Sequence, residues 1–186
     1  MKPRRAGEEI AYTVTFLEMT EPPRFDWPSI PVKLSGALLR SEAPPAWYFR
    51  ALYDAVGQDY AWTDMHVHEE TTLADWLADP DVALYSLIHQ GWPQGFFILD
   101  WRERGRCELD LFGLVPQAVG LGFGSWMLRT AILTGWEREG VTCLSVNTCT
   151  LDHPRALAKY QKHGFTPVRQ EERTRILTRD WTPAHP

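Results

Sequence analysis

Apolar residues recur along this chain with a short period in some stretches and a longer one in others, and the switches outline its elements. Tyr12, Val14 and Phe16 alternate with Thr13, Thr15 and Leu17, which predicts a strand. Residues 21–31 carry Pro22, Pro23, Pro28 and Pro31 and read as an irregular loop. A second short strand is expected over 32–40. Pro44 and Pro45 then open a helix whose shared face is Trp47, Tyr48, Leu52, Ala55 and Val56, with Gly57 as its stop. Residues 58–70 show no period. A short helix over 73–78 follows, capped by Thr71 or Thr72 and ended by Asp79-Pro80.

The middle of the chain reads as an antiparallel meander, with strands over 82–89, 95–101 and 106–115 and turns at 91–93 and 102–105. On the last of these, Glu108, Asp110 and Phe112 face one way and Leu109 and Leu111 the other. A helix over 125–139 carries the stripe Leu128, Ala131, Ile132 and Gly135, and Gly140 stands where a terminating glycine belongs. A strand over 142–149 comes next. Asp152, His153 and Pro154 begin another helix, with Ala156, Leu157, Tyr160 and Gln161 on one face and Gly164 as its stop. Residues 165–168 and 173–178 read as two short terminal strands. No repeat or linker interrupts the pattern, so 1–186 is expected to form a single domain with loose ends at 1–9 and 181–186.

Composition narrows the class. A chain of 186 residues, 44% hydrophobic and 23% charged, is that of an ordinary globular domain. A net charge of -5 argues against a nucleic-acid partner. The three cysteines, Cys107, Cys143 and Cys149, form no paired motif and read as reduced thiols in a cytoplasmic protein. His66 and His68 alone are a weak ligand set, so no metal is expected. The basic start lacks an apolar core, so no signal peptide fits. The apolar runs fall well short of the about 20 residues that cross a membrane.

The most telling stretch is 114–124, where a strand runs into Gly120, Gly122 and Gly124 and then into a helix. Such a turn lets backbone N–H groups approach a phosphate and adds the partial positive charge of the helix N-terminus. Ser125 and Trp126 follow the last glycine, so the Lys and hydroxyl of a nucleotide P-loop are missing. The glycine spacing and the antiparallel approach also fail the dinucleotide fingerprint. Taken alone, the turn favours an empty helix entry over a ligand site.

The order of elements adds to this. A meander, a glycine turn, a helix, a strand and a helix running into Gly164-Phe165 resemble the GNAT acetyltransferase family. The turn reads Leu114-Val115-Pro116, then Val119-Gly120-Leu121-Gly122-Phe123-Gly124. The second motif reads His153, Ala156, Tyr160, Gly164 and Phe165. Val119 stands where the family has Arg or Gln, and His153 where it has Asn. The resemblance is strongest over 82–168. It implies an α/β (α+β) fold with a mixed, mostly antiparallel central sheet, a splay between two parallel strands, and flanking helices. It implies acetyl-CoA as cosubstrate. The backbone of Leu114 and Val115 would take the pantetheine arm. The amides of the turn, from Gly120 through Leu121, Gly122, Phe123 and Gly124 to Ser125, would take the pyrophosphate without side-chain help, and Asn147 and His153 would lie against the cofactor. It further implies direct attack by an amine, with Tyr160 as general acid and Glu108 or Asp110 as base. Asp64, His66 and His68 are rivals for the base. Thr148 is a further polar group near the splay, and Cys149 reads as a buried thiol more than as a nucleophile. Trp47, Trp62 and Trp76 fall in the segment that forms the acceptor lid. The acceptor is expected to be a small-molecule amine, with a protein amine as the second case, and the family is often dimeric. The competing class is a non-catalytic CoA-binding sensor or interaction module of the same fold.

Overall fold

The computed structural model describes residues 3–30 and 35–182. Its strands are β1 (Glu9–Met19), β2 (Gly36–Ser41), β3 (Val82–His89), β4 (Trp92–Asp100), β5 (Arg106–Leu114), β6 (Cys143–Cys149) and β7 (Thr166–Ile176). Its helices are α1 (Ala46–Gly57), α2 (Glu70–Ala78), α3 (Phe123–Glu137) and α4 (Ala156–Lys162), with short 3-10 turns at Gln58–Tyr60, Asp64–Val67 and Pro116–Ala118. The strands form one sheet in the order β2-β3-β4-β5-β6-β1-β7. Only β5 and β6 run parallel; the other neighbours are antiparallel. This is the mixed, mostly antiparallel α/β fold expected from the chain. The first strand, however, lies between β6 and β7, a placement that its own alternation does not reveal.

Helices cover both faces of the sheet. Phe96 meets Phe49 of α1 and Trp62 at ring distances of 6.3 and 6.4 Å, which marks one face. Gly135 of α3 sits directly on Leu144 and Cys107, which mark the other. With both faces covered, Phe96, Phe97, Ile98 and Leu99 are all fully buried. That is why β4 reads as a continuous apolar run without alternation.

Several local expectations are corrected. Trp92 and Pro93 belong to β4, and the turn is Gln90-Gly91, both with positive φ, as a two-residue hairpin requires. In α1 the buried face is Ala46, Phe49, Leu52, Tyr53 and Val56, whereas Trp47 is 65% exposed. Helix α2 starts at Glu70, ahead of Thr71 and Thr72, and no side chain caps it. Helix α3 starts two residues early because Gly122, with φ 99°, serves as its N-cap. Helix α4 starts late, after Arg155: the Asp152 carboxylate accepts from Thr148 Oγ1 and from the Cys149 N–H, closing a turn off β6 in place of a helix cap. Residues 166–176 form one strand, not two short ones, because β1 pairs along its whole length. The ends are tied as well. Arg4 bridges Trp181, and Trp181 is buried beside Ile10, Tyr12 and Leu177. Part of the strand expected over 32–40 and part of the loose end expected at 181–186 lie outside the described residues.

The register of β5 matters most for function. Ile98 pairs with Leu111 and Leu99 with Leu109, so Asp110 is the extra residue of a β-bulge. The bulge reverses the alternation beyond it. Glu108 and Leu111 share the α1 face, and Leu109 and Phe112 share the α3 face. The expected grouping of Glu108 with Phe112, and of Leu109 with Leu111, is thereby overturned.

Candidate active site

Strands β5 and β6 pair only from Arg106↔Cys143 to Leu109↔Val146. Beyond that point β5 follows β4 as far as Leu114 and β6 follows β1 as far as Cys149. The two parallel strands therefore diverge, leaving backbone groups of residues 110–114 without a partner on the β6 side. The gap opens into a cleft of about 590 Å³. One arm runs along β5 to the glycine turn and α4; the other is walled by α1, the segment after it, β1 and β7.

The first arm ends at the N-terminus of α3. Leu114, Val119, Gly120, Gly122, Gly124 and Ser125 line it. The helix geometry leaves the N–H groups of Phe123, Gly124 and Ser125 without intrahelical acceptors. Gly120 and Gly122 have φ of 92° and 99°, which only glycine adopts without strain. Three expected members differ. Val115 faces away: its N–H donates to the Gln94 carbonyl and its own carbonyl accepts from Ala118, so no free backbone group remains for a ligand. The Leu121 N–H is used within the turn, donating to the Ala118 carbonyl. The Phe123 side chain is fully buried against His89, so only its backbone can serve the site.

The turn does not lack a cation. A Cβ on Gly124 would stand 2.8 Å from Lys159 Nζ, so the ammonium rests directly on the bare first turn of α3. Lys159 lines the cleft together with Arg155, four residues earlier. Burial, and then the Arg155 charge, lowers the Lys159 pKa. The expectation that backbone amides alone would face a phosphate here is thus corrected. The signal was the pair of cations Arg155, at the N-cap, and Lys159, within the helix that carries Tyr160.

Tyr160 is 7% exposed and lines the cleft. Its ring packs on Phe112 of β5 and on Phe165. Burial, reinforced by the Asp152 charge, pushes its phenol upward, so it holds its proton throughout the physiological range.

Of the two carboxylates on β5, only Asp110 reaches the cleft wall. Its pKa is raised from 3.8 to about 7, first by burial and then by the Glu108 and Asp100 charges. Glu108 lies opposite Asp100, accepts a 3.5 Å hydrogen bond from Asn147 Nδ2, and is also raised, mainly by burial. It stands behind Asp110. Asn147, Thr148 and His153 line the cleft as well. His153 Nδ1 accepts from the Arg155 N–H, and its ring faces Tyr60.

The other candidates are distributed unevenly. Asp64 is in the wall but ion-paired to Arg175 at 2.9 Å. His66 pairs with Asp54 and the His68 carbonyl accepts from Arg50; neither lines the cleft. Of the three tryptophans, only Trp62 does; Trp76 packs on Phe49 and Trp47 is exposed. Cys149 is in the wall, but burial pushes its thiol up to about 12, which suits an inert thiol. Sequence reasoning missed Tyr12, Tyr60, Arg173 and Arg175. The two arginines stand two apart on one strand, a spacing the sequence shows; that they line the cleft depends on the pairing of β7 with β1, which the sequence does not show.

The family model for the acetyltransferase (GNAT) family matches residues 41–165. The chain belongs to that family. No curated protein matches the sequence. Among solved structures, a Drosophila protein superposes with TM-score 0.68 at 12% identity, over 94% of this chain and 54% of its own. A GCN5-related N-acetyltransferase from Kribbella flavida gives 0.56 at 16%, over 87% and 56%. A tandem GNAT protein from the clavulanic acid biosynthesis pathway, solved without AcCoA, gives 0.58 at 16%, over 93% and 55%. At these identities the likeness is one of fold, and the chain spans little more than half the length of each of these structures. Among the described residues, no helix is long and apolar enough to cross a membrane.

Proposed function

We propose that the protein transfers an acetyl group from acetyl-CoA to a primary amine, with Asp110 as general base and Tyr160 as general acid. The observation that carries this reading is Asp110: a carboxyl at a bulge in the cleft wall whose pKa is brought to about 7. A base tuned there is half ionised at neutral pH and matched to proton transfer. The site fits the cosubstrate on its own terms. The bare first turn of α3 and the Lys159 ammonium suit a pyrophosphate. The unpartnered edge of β5 suits an extended amide chain.

Acetyl-CoA supplies a thioester whose carbonyl carbon accepts a nucleophile. Asp110 takes the proton from the incoming ammonium, freeing the nitrogen lone pair. As the N–C bond forms and the C–S bond breaks, the departing sulfur takes its proton from Tyr160, the acetylated nitrogen gives up its second proton to restore the tyrosine, and Asp110 releases its proton to solvent. Glu108 acts through Asp110, keeping its pKa high by like charge.

Thiol release measured against a panel of amines from pH 5.5 to 9 tests this. The rate is expected to rise with pH through an inflection near 7. Asp110→Asn should remove the inflection and lower kcat by about 10²–10⁴. Tyr160→Phe should lower kcat with little change in KM for acetyl-CoA. Tight acetyl-CoA binding with no thiol release on any amine would sink the catalytic reading and favour a non-catalytic sensor.

A further inference from the structure

The cleft wall is more positive than the molecule that carries it. Arg155, Lys159, Arg173 and Arg175 line it against Asp64, Asp110 and Asp152, in a chain of net charge -5. Lys159 and Arg155 lie in the arm of the glycine turn and answer an anionic cofactor there. Arg173 and Arg175 do not. On β7 they pair with Tyr12 and Ile10 of β1, on the α1 side of the splay. They stand where the acceptor would enter.

The carboxylates on that side are already matched. Asp64 accepts from Arg175. Asp152 accepts from Thr148 Oγ1, from the Cys149 N–H and from Trp62 Nε1. Asp110 has to receive a proton. None of them is left to bind a cationic group. The guanidinium side is in excess, because Glu171 is shared between Arg169 and Arg173. The Arg175 guanidinium is held in place: it donates to the Ala61 carbonyl, the Tyr12 hydroxyl and Asp64, and it lies 4.7 Å from the centre of the Tyr12 ring. It forms a fixed platform, and Arg173, the more exposed of the two, donates from Nε and Nη2 to the Glu171 carboxylate that it shares with Arg169. Tyr12, Tyr53, Tyr60 and Trp62 surround this end with aromatic surface.

We propose that the acceptor is a small amine that also carries a carboxylate, bound by Arg173 beside the Arg175 platform, with its carbon skeleton against Tyr12, Tyr60 and Trp62. This rests on the acetyl-transfer reading above and names its substrate class. A guanidinium facing a carboxylate gives charge-assisted hydrogen bonds, a contact that an uncharged or cationic acceptor cannot make, and the neighbouring Arg175 adds its charge.

The test is a matched set of amines, L-tyrosine, its methyl ester, tyramine, a tyrosine-initiated peptide and spermidine, assayed by thiol release with acetyl-CoA. The free amino acid is expected to exceed the ester and tyramine in kcat/KM by about tenfold, mainly through KM. Arg173→Met should collapse that ratio to about twofold or less, and Glu171→Gln, which releases Arg173 from its partner, should widen it. Preference for spermidine, the peptide or tyramine would overturn the proposal, as would an Arg173→Met variant that slows every amine equally. Binding of N-acetyltyrosine against N-acetyltyramine, followed by tryptophan fluorescence, separates the two levels of inference. If no amine is turned over yet the carboxylate product binds more tightly and loses that advantage in Arg173→Met, the transfer reading fails and the anion site stands. Equal binding of both products refutes the anion site.

Discussion

Asp110 links function to stability in a way that can be measured without a substrate. Its carboxyl titrates near 3.8 in an unfolded chain and near 7 in the folded protein. The folded state therefore binds the proton more tightly, and between those two values stability must fall as pH rises. Well below pH 3.8 both states are protonated and the residue contributes nothing. Above pH 7 both are ionised and the penalty is complete. At about 1.4 kcal/mol for each pKa unit, the full penalty is on the order of 4 kcal/mol. Asp110→Asn keeps the shape and removes the charge. It should be more stable than the wild type by about 3–4 kcal/mol at pH 8.5, with the gap closing to under about 1 kcal/mol at pH 4. Urea unfolding followed by the fluorescence of the nine tryptophans, at half-unit pH steps, gives both curves. Parallel wild-type and Asp110→Asn curves would refute the assigned burial of charge, as would a variant less stable at every pH. The same substitution should lower activity, so stability and rate are expected to move in opposite directions.

Other perturbations address other parts of the site. Glu108→Gln removes a like charge behind Asp110, so the inflection in the pH–rate profile should move to lower pH while the maximal rate changes little; an unmoved inflection would separate the two carboxylates. Lys159→Met should weaken acetyl-CoA binding by about tenfold and flatten its dependence on salt, as calorimetry at two ionic strengths would show. Gly113→Ala would place a methyl 2.2 Å from Val56 Cγ1 in the core, costing about 1–3 kcal/mol, and Val56→Ala on the same background should recover part of that loss in urea unfolding.

What could be read from the chain was local, and what could not depends on distant pairing. The glycine turn and the Tyr160 helix carry their chemistry within short segments, and the structure places both in one cleft. The alternation of β5 looked sufficient to sort Glu108 from Leu111, but the bulge at Asp110 is set by β4 and leaves no mark on β5 itself. Asp152 has the right identity and position for a helix cap, yet Thr148 and the Cys149 N–H claim its carboxylate. Lys159 is the neighbour of Tyr160 in sequence, and apart from Arg155 nothing local marks it as a site residue. Its contact with Gly124 exists only once α3 and α4 are side by side. Arg173 and Arg175 share a face of one strand in the sequence itself, but their place in the cleft wall comes only from β1 lying along β7.

That placement of β1 bears on how the molecule comes to exist in time. Strands β3, β4 and β5 are joined by short connections and pair with their sequence neighbours, so they can assemble from local contacts. Strand β1 must wait. Its partners, Cys149 in one register and Glu171 in the other, both meet it at Val14 from the far end of the chain. Closing loops of that length is slow, and non-local pairing sets the pace of folding. The arm built on the glycine turn can take shape early, whereas the acceptor wall, which needs Tyr12, Arg173 and Arg175 together, is completed last. Pulse-labelled hydrogen exchange should find the β1 amides protected after those of β3 to β5. Simultaneous protection would mean that the sheet closes in a single event.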